Sequence, residues 1–453
     1  MEPLREKQKA TLRRCSPEEL ALAMLSGREH ISQGRWLGKR NRYRIETATR
    51  IDDETSANGS IRKPNDLKTY VAASALPHCM DGWGFLARAV SAHIAGNANA
   101  ALHFGYYAEL RAAMSLLATR GVGIFNKGNC VIAKRRKSKH HPQGSGCLSL
   151  RGPGTHNMTW LSLKFWGSMP TSSTFLLNIV TPARIPLFDW ISAYSQPVPS
   201  QLGAKWLHDW GLDLRQFAED RDARNEVSYR PIDITRDAFI PAKEASSFLI
   251  DFWSLFEPAA SRFETLDSHI LRNTLEQVFK GRNQQNAVGN PQHQRNIATM
   301  VTSLGLVGNQ EWTEFLLRRK NPASPRVLKL AAEESDLDDP DRHLQVISRA
   351  ALLLRLATGA CEALKNDATL SRGDLSFWWS TVGSRRGFWS PGSEPTNCTD
   401  LWSEVEVATQ GEQNWGNANW LNNPSYMSWK QARAADLVVL SECERIGLWG
   451  LGF

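Results

Sequence analysis

The sequence predicts an all-α protein, and three observations carry that reading. Residues 98–120 place Leu102, Tyr106, Leu110, Ala113 and Leu117 at intervals of four and three, the stripe of a helix that buries one face. Similar stripes recur over residues 242–280 and 344–354 and, between tryptophans, over 155–210. No stretch sustains the alternation of β-branched and polar residues that marks a strand.

A chain of 453 residues with 42% hydrophobic content can bury large cores, which predicts two or three domains. The net charge of +8 and pI near 9.1 suit an anionic partner. Seven scattered cysteines form no C-x-x-C pair, so neither a disulfide framework nor a zinc knuckle is expected. A reducing cytoplasm fits best. Residues 1–14 are charged without an apolar core, and the run 350–360 is broken by Arg355. No leader and no membrane span is therefore expected. No nucleotide-binding fingerprint is present, and no cofactor or metal is assigned.

Residues 1–64 read as a basic arm with one helix. Ser16-Pro17-Glu18-Glu19 is a capping box, with Glu19 reaching back to Ser16. Arg35, Lys39, Arg40 and Arg42 follow, interleaved with Trp36 and Tyr43, a mixture able to track phosphates and stack on bases. Residues 52–64 are polar, carry Asn58-Gly59, and read as a loop. A helical domain, 65–281, comes next, its first helical stretch interrupted at Pro77. The helix over 98–120 ends at Gly121 and folds back on its predecessor around Gly96-Asn97. Within it Glu109 borders the apolar stripe, and a carboxylate buried there needs a cation or donors.

Lys134, Arg135, Arg136 and Lys137 open the most basic run of the chain, before a glycine-rich stretch that reads as a long loop. Its charge would draw in nucleic acid. Tryptophans 160 and 166 then anchor helices. In residues 212–231, Leu214, Phe217, Ala218, Arg221, Arg224, Asn225 and Ser228 lie near one helical face. An apolar stripe that turns into Arg and Asn departs from a purely structural helix.

Here the sequence resembles the HEPN superfamily of helical domains. In that family a helix of the YYAELRAAMSLL kind, Tyr106 to Leu117, pairs with a later helix carrying Arg, a polar residue, a short gap and His. Arg224, Asn225 and the spacing match, while Tyr229 stands at the histidine position. The resemblance covers about 65–231, with a long insertion at 127–204. It implies an antiparallel helical bundle, usually dimeric, in a prokaryotic antiviral-defence or toxin–antitoxin setting. It further implies a metal-independent endoribonuclease with Arg224, Asn225, Tyr229 and Glu109 as site residues and RNA as partner. The alternative is a catalytically inactive HEPN-like scaffold that binds nucleic acid or protein, which the Tyr229 exchange favours.

Residues 282–291, rich in Asn, Gln and Gly, read as a boundary before a helical, Trp-rich C-terminal domain, 292–453. The acidic cluster from Glu333 to Asp341 ends at Asp339-Pro340, read as the start of a helix to Leu364. Eight of the 17 tryptophans fall between Trp378 and Trp449, as a small buried core or, if exposed, a protein-binding surface.

Overall fold

In the computed structural model, residues 3–57, 61–126, 128–134, 146–229, 240–306, 308–334 and 339–452 are described. The protein is all-α, with one small antiparallel sheet. Helices α1 (Glu6–Leu12), α2 (Pro17–Ser26), α3 (Arg28–Ser32) and α4 (Thr47–Ala57) form the arm, and α5 (Pro64–Ile94) and α6 (Ala98–Thr119) form the central hairpin. Strands β1 (Val122–Gly123), β2 (Asn129–Ile132) and β3 (Cys147–Leu150) follow, in that order across the sheet, with Val122 opposite Val131 and Cys130 opposite Ser149. Next come α7 (Thr155–Gly167), α8 (Pro170–Ile179), α9 (Leu187–Tyr194), α10 (Gly203–Asp209) and α11 (Gln216–Tyr229). The second half holds α12 (Ala242–Leu255), α13 (Glu264–Asn283), α14 (Pro291–Ser303), α15 (Asn309–Leu316), α16 (Arg326–Ala332) and α17 (Arg342–Asp367). It ends with α18 (Ser376–Arg386), α19 (Cys398–Asn419), α20 (Tyr426–Ala432), α21 (Ala434–Ser441) and α22 (Glu444–Gly450).

The core is the α5–α6 hairpin with α17 laid against both helices. Nearly every residue of helix α17 is buried, its polar ones included. It is long and apolar enough to cross a membrane, yet 94% of its apolar window is buried inside the protein. Its two mid-helix arginines each meet a carboxylate: Arg355 grips Asp267 of α13 at 2.6 and 2.8 Å, and Arg349 grips Asp220 of α11. Gly105 of α6 permits the close approach, since a Cβ there would lie 3.0 Å from Val346 Cγ1. The stretch 282–291 therefore leads back into the core shared with α5 and α6.

Four local expectations are corrected. Helix α5 runs unbroken through Pro77, because its neighbours α6, α17 and α22 hold both turns in place despite the missing N–H. Residues 47–57 are helix rather than loop. There Glu54 accepts from Tyr43 Oη (2.7 Å), Arg42 Nε (2.6 Å) and the Arg62 amide (2.8 Å), which pins a helix of little apolar content. Asn58-Gly59 lies outside the described residues. Glu19 does not close the capping box: Ser16 accepts from its amide, but its carboxylate takes Lys68 Nζ at 2.6 Å. Finally, the basic loop is flanked by paired strands β2 and β3, while 135–145 lies outside the described residues.

The tryptophans of the C-terminal part are mostly interior: Trp379, Trp429 and Trp449 are fully buried, and Trp378, Trp389 and Trp402 nearly so. The arm docks on this region, with Trp36 edge-on to Phe377 and Trp378 at 5.5 and 5.0 Å.

Candidate functional site

Helix α11 crosses α6 and α7, and two contacts fix it there. Phe217 stacks flat on Trp160 of α7, ring centres 4.6 Å apart, and Asp220 takes a bidentate hold from Arg349 of α17 (Nε 3.0 Å, Nη2 2.7 Å). One turn after Asp220, Arg224 is presented at a cavity of about 760 Å³. The cavity lies among the N-terminus of α7, the middle of α6, the end of α11 and the segment after β1. Arg111, Arg221, Arg224, His156, Asn157 and Asn225 supply its polar wall, with Phe85, Tyr107 and Phe125 among the apolar residues. Among the described residues no carboxylate lines it.

The three arginines differ. Arg221 pairs with Asp222 (2.6 Å) and also donates to Asn157. Arg111 donates to His78 Nδ1 (2.9 Å) and lies 3.9 Å from Asp81. Arg224 has no carboxylate partner among the described residues. It lies over the rings of Tyr106 and Tyr107, 5.4 and 5.0 Å from their centres, and donates from Nη2 to Tyr107 Oη at 3.2 Å. Its Nε is buried without a hydrogen bond. A cation held by ring faces keeps its charge uncompensated and directed into the cavity.

Two histidines flank Arg224. His156, in the first turn of α7, stacks parallel to Tyr106, its Nδ1 2.8 Å from that hydroxyl. Trp160 Nε1–H donates to the same Tyr106 oxygen at 3.2 Å. Burial holds the Tyr106 phenol well above its ordinary pKa, so it stays protonated. When the hydroxyl donates to His156 Nδ1, the neutral ring carries its proton on Nε2. His103, one turn before Tyr107 on α6, has Nδ1 2.9 Å from Ser228 Oγ of α11. Burial, then the charge of Arg224, lowers the pKa of both rings, with Arg221 adding to the effect at His156. Both are neutral at pH 7.

Glu109 sits behind this layer, wholly buried. Its cation is Arg349 of α17, Nε to Oε1 3.7 Å, and not Arg224 as the stripe on α6 led us to expect. Neither of its oxygens accepts a hydrogen bond, and burial together with the Asp220 carboxylate pushes its pKa well above the ordinary value. Glu109 thus belongs to the layer that anchors α11, behind the cavity.

Asn225 lines the cavity, whereas Tyr229 is the last residue of α11 and its side chain is outside the described part. The arm residues lie elsewhere: Arg42 is tied to Glu54, Arg35 donates to Gln33, and Lys39 and Arg40 are exposed. Lys134 is exposed at the end of β2, 3.9 Å from Glu18. Arg135, Arg136 and Lys137 lie outside the described residues. His103, Arg111, His156 and Arg221 were not assigned to a site from sequence. Only the run Gly152-Pro153-Gly154 before Thr155-His156-Asn157, a tight loop delivering polar residues to a helix start, pointed to the last helix involved. No protein-family model, curated protein or solved structure matches the chain.

Proposed function

We propose that the cavity at Arg224 binds a phosphodiester of RNA and that the protein is a metal-independent endoribonuclease of the HEPN kind, acting in a prokaryotic defence or toxin–antitoxin system. The observation that carries the reading is an arginine with no carboxylate partner among the described residues, held on tyrosine faces in a cavity that His156 lines and no described carboxylate does, with His103 against the ring of Tyr107. The packing of α11 on α6, in the chain order of the family resemblance, supports it. Arg224 and Arg221 would hold the phosphate oxygens. His103, when it donates Nδ1–H to Ser228, presents a bare Nε2 able to take the proton of the attacking 2′-hydroxyl. His156, when it accepts from Tyr106 at Nδ1, would offer Nε2–H to a phosphate oxygen as charge builds there. Asn225 would orient the backbone, and the rings of Phe85 and Tyr107 offer faces for bases.

The test is cleavage of a single-stranded RNA in EDTA. The expected product carries a 2′,3′-cyclic phosphate, Arg224→Ala lowers the rate by about 10²-fold or more, and His103→Gln by ~10²–10⁴-fold. A second reading, a binder that does not cleave, is favoured by Tyr229 at the family's histidine position. It wins if the wild type binds RNA through Arg224 and leaves it intact, and if Tyr229→His does not restore cutting.

A further inference from the structure

A second basic cavity, of about 640 Å³, opens at the far end of α7, between that helix, the C-terminus of α1 and the start of α8. Arg13, Arg14, Arg120 and Lys134 line it, against one carboxylate, Glu18. Arg120 is held as Arg224 is held: its guanidinium lies over an aromatic ring, Phe175, at 4.0 Å, and its Nε is buried with no hydrogen-bond partner. Arg13 likewise sits over Phe165 at 5.3 Å. A third cavity, about 460 Å³, lies between the two, walled by Arg5 and Arg151 and sharing Asn157 with the cavity at Arg224. Helix α7 borders all three, and α1, packed beside it, borders the second and third. Thirteen residues of α7 measure ~20 Å, so the cavities at its two ends are separated by the length of a short strand rather than by a single phosphate.

We infer that these cavities form one track for single-stranded RNA, running along α1 and α7 from Arg224 to Arg120, each holding a backbone phosphate of the same strand. The inference rests on the reading of the Arg224 cavity and extends it to substrate size: a strand of several nucleotides is gripped, and its sequence is read weakly because the protein touches phosphate.

The experiment uses 2′-O-methyl RNA, which cannot be cut, as a dinucleotide and as a strand of about twelve nucleotides. Binding is read by fluorescence anisotropy over a range of salt. The full chain with Arg13→Gln, Arg14→Gln and Lys134→Gln, all three at exposed positions, should bind the long strand about tenfold more weakly. Its log–log salt slope should flatten by ~0.7 for each phosphate that is no longer neutralised, while the dinucleotide binds as to wild type. Arg120→Gln, with its melting curve as the folding control, should follow the same pattern. A triple variant that binds the long strand as wild type does, while Arg224→Ala still loses the dinucleotide, overturns the track and leaves the Arg224 site standing. Equal losses on both ligands overturn the track too. If Arg224→Ala keeps the dinucleotide, the site itself fails.

Discussion

Arg349 lines none of the three basic cavities, yet the position of Arg224 depends on it. Its guanidinium is wholly buried, grips Asp220 at 2.7 and 3.0 Å, and faces Glu109 at 3.7 Å. Replacing it by Met would leave Asp220 without its close partner in a dry environment, which should cost ~3–5 kcal/mol in urea unfolding. Arg349→Met with Asp220→Leu should recover a large part of that, because removing both charges removes the desolvation penalty. A single variant that destabilises by no more than the change in packing would show that the pair is energetically idle. At this scale the sequence was partly legible. The change from Leu214 and Phe217 to Arg224 and Asn225 on one stripe marked a helix whose end lines the cavity, and Glu109's need for a partner was visible. Which cation served it was not, since Arg224 and Arg349 differ only in where α17 folds back. His156 was hidden for the same reason: nothing local says that the first turn of α7 meets Tyr106.

At the scale of elements, the departures share one cause. Helix α4 has little apolar content and α5 contains a proline, so propensity and periodicity gave loop and break. Both are held as helix by contacts from outside the helix itself: Arg42, Tyr43 and Arg62 on Glu54 in the first case, α6 and α17 in the second. Glu54→Ala should therefore act locally. It leaves the buried Tyr43 hydroxyl without its acceptor, at a cost of ~1–3 kcal/mol, and amide exchange over residues 47–57 should speed up while that of α6 does not. Uniform acceleration across both helices would contradict this. Strands β2 and β3 escaped notice because the four residues of each, buried or half-buried, are too few for an alternation to show.

For the whole molecule, buried histidines set the response to acid. His93 Nδ1 lies 3.0 Å from His343 Nε2, and His269 Nδ1 accepts from Arg272 Nη2 at 3.0 Å. Burial lowers His93, His343 and His269 to about 3, about 4 and about 3 respectively. The unfolded rings titrate near 6.5, so the unfolded chain binds more protons below that pH. Stability should be full above pH 6.5 and fall as the pH drops towards 4, with a limiting slope of ~1.4 kcal/mol per pH unit for each histidine. Carboxylates that burial raises, Glu109 and Glu444 (to about 6) among them, work in the opposite sense, and His78, also lowered to about 3, adds to the three histidines. Urea midpoints that stay level between pH 6.5 and 4.5 would refute the prediction. His343→Gln should make the profile shallower.

The place of α17 in the core also sets an order of events during synthesis. The α5–α6 hairpin is complete at Thr119, and its third partner begins only at Arg342. At the usual ~5–20 residues per second, the stretch between them takes roughly 10 to 45 s to be made. Over that interval the hairpin has emerged with an apolar face uncovered, a hazard that an attendant chaperone would relieve. Arg349 is also still to come, and with it the bidentate hold on Asp220 that helps to fix the helix carrying Arg224. The wall of the arginine cavity is thus fixed late, and a chain released early lacks that hold.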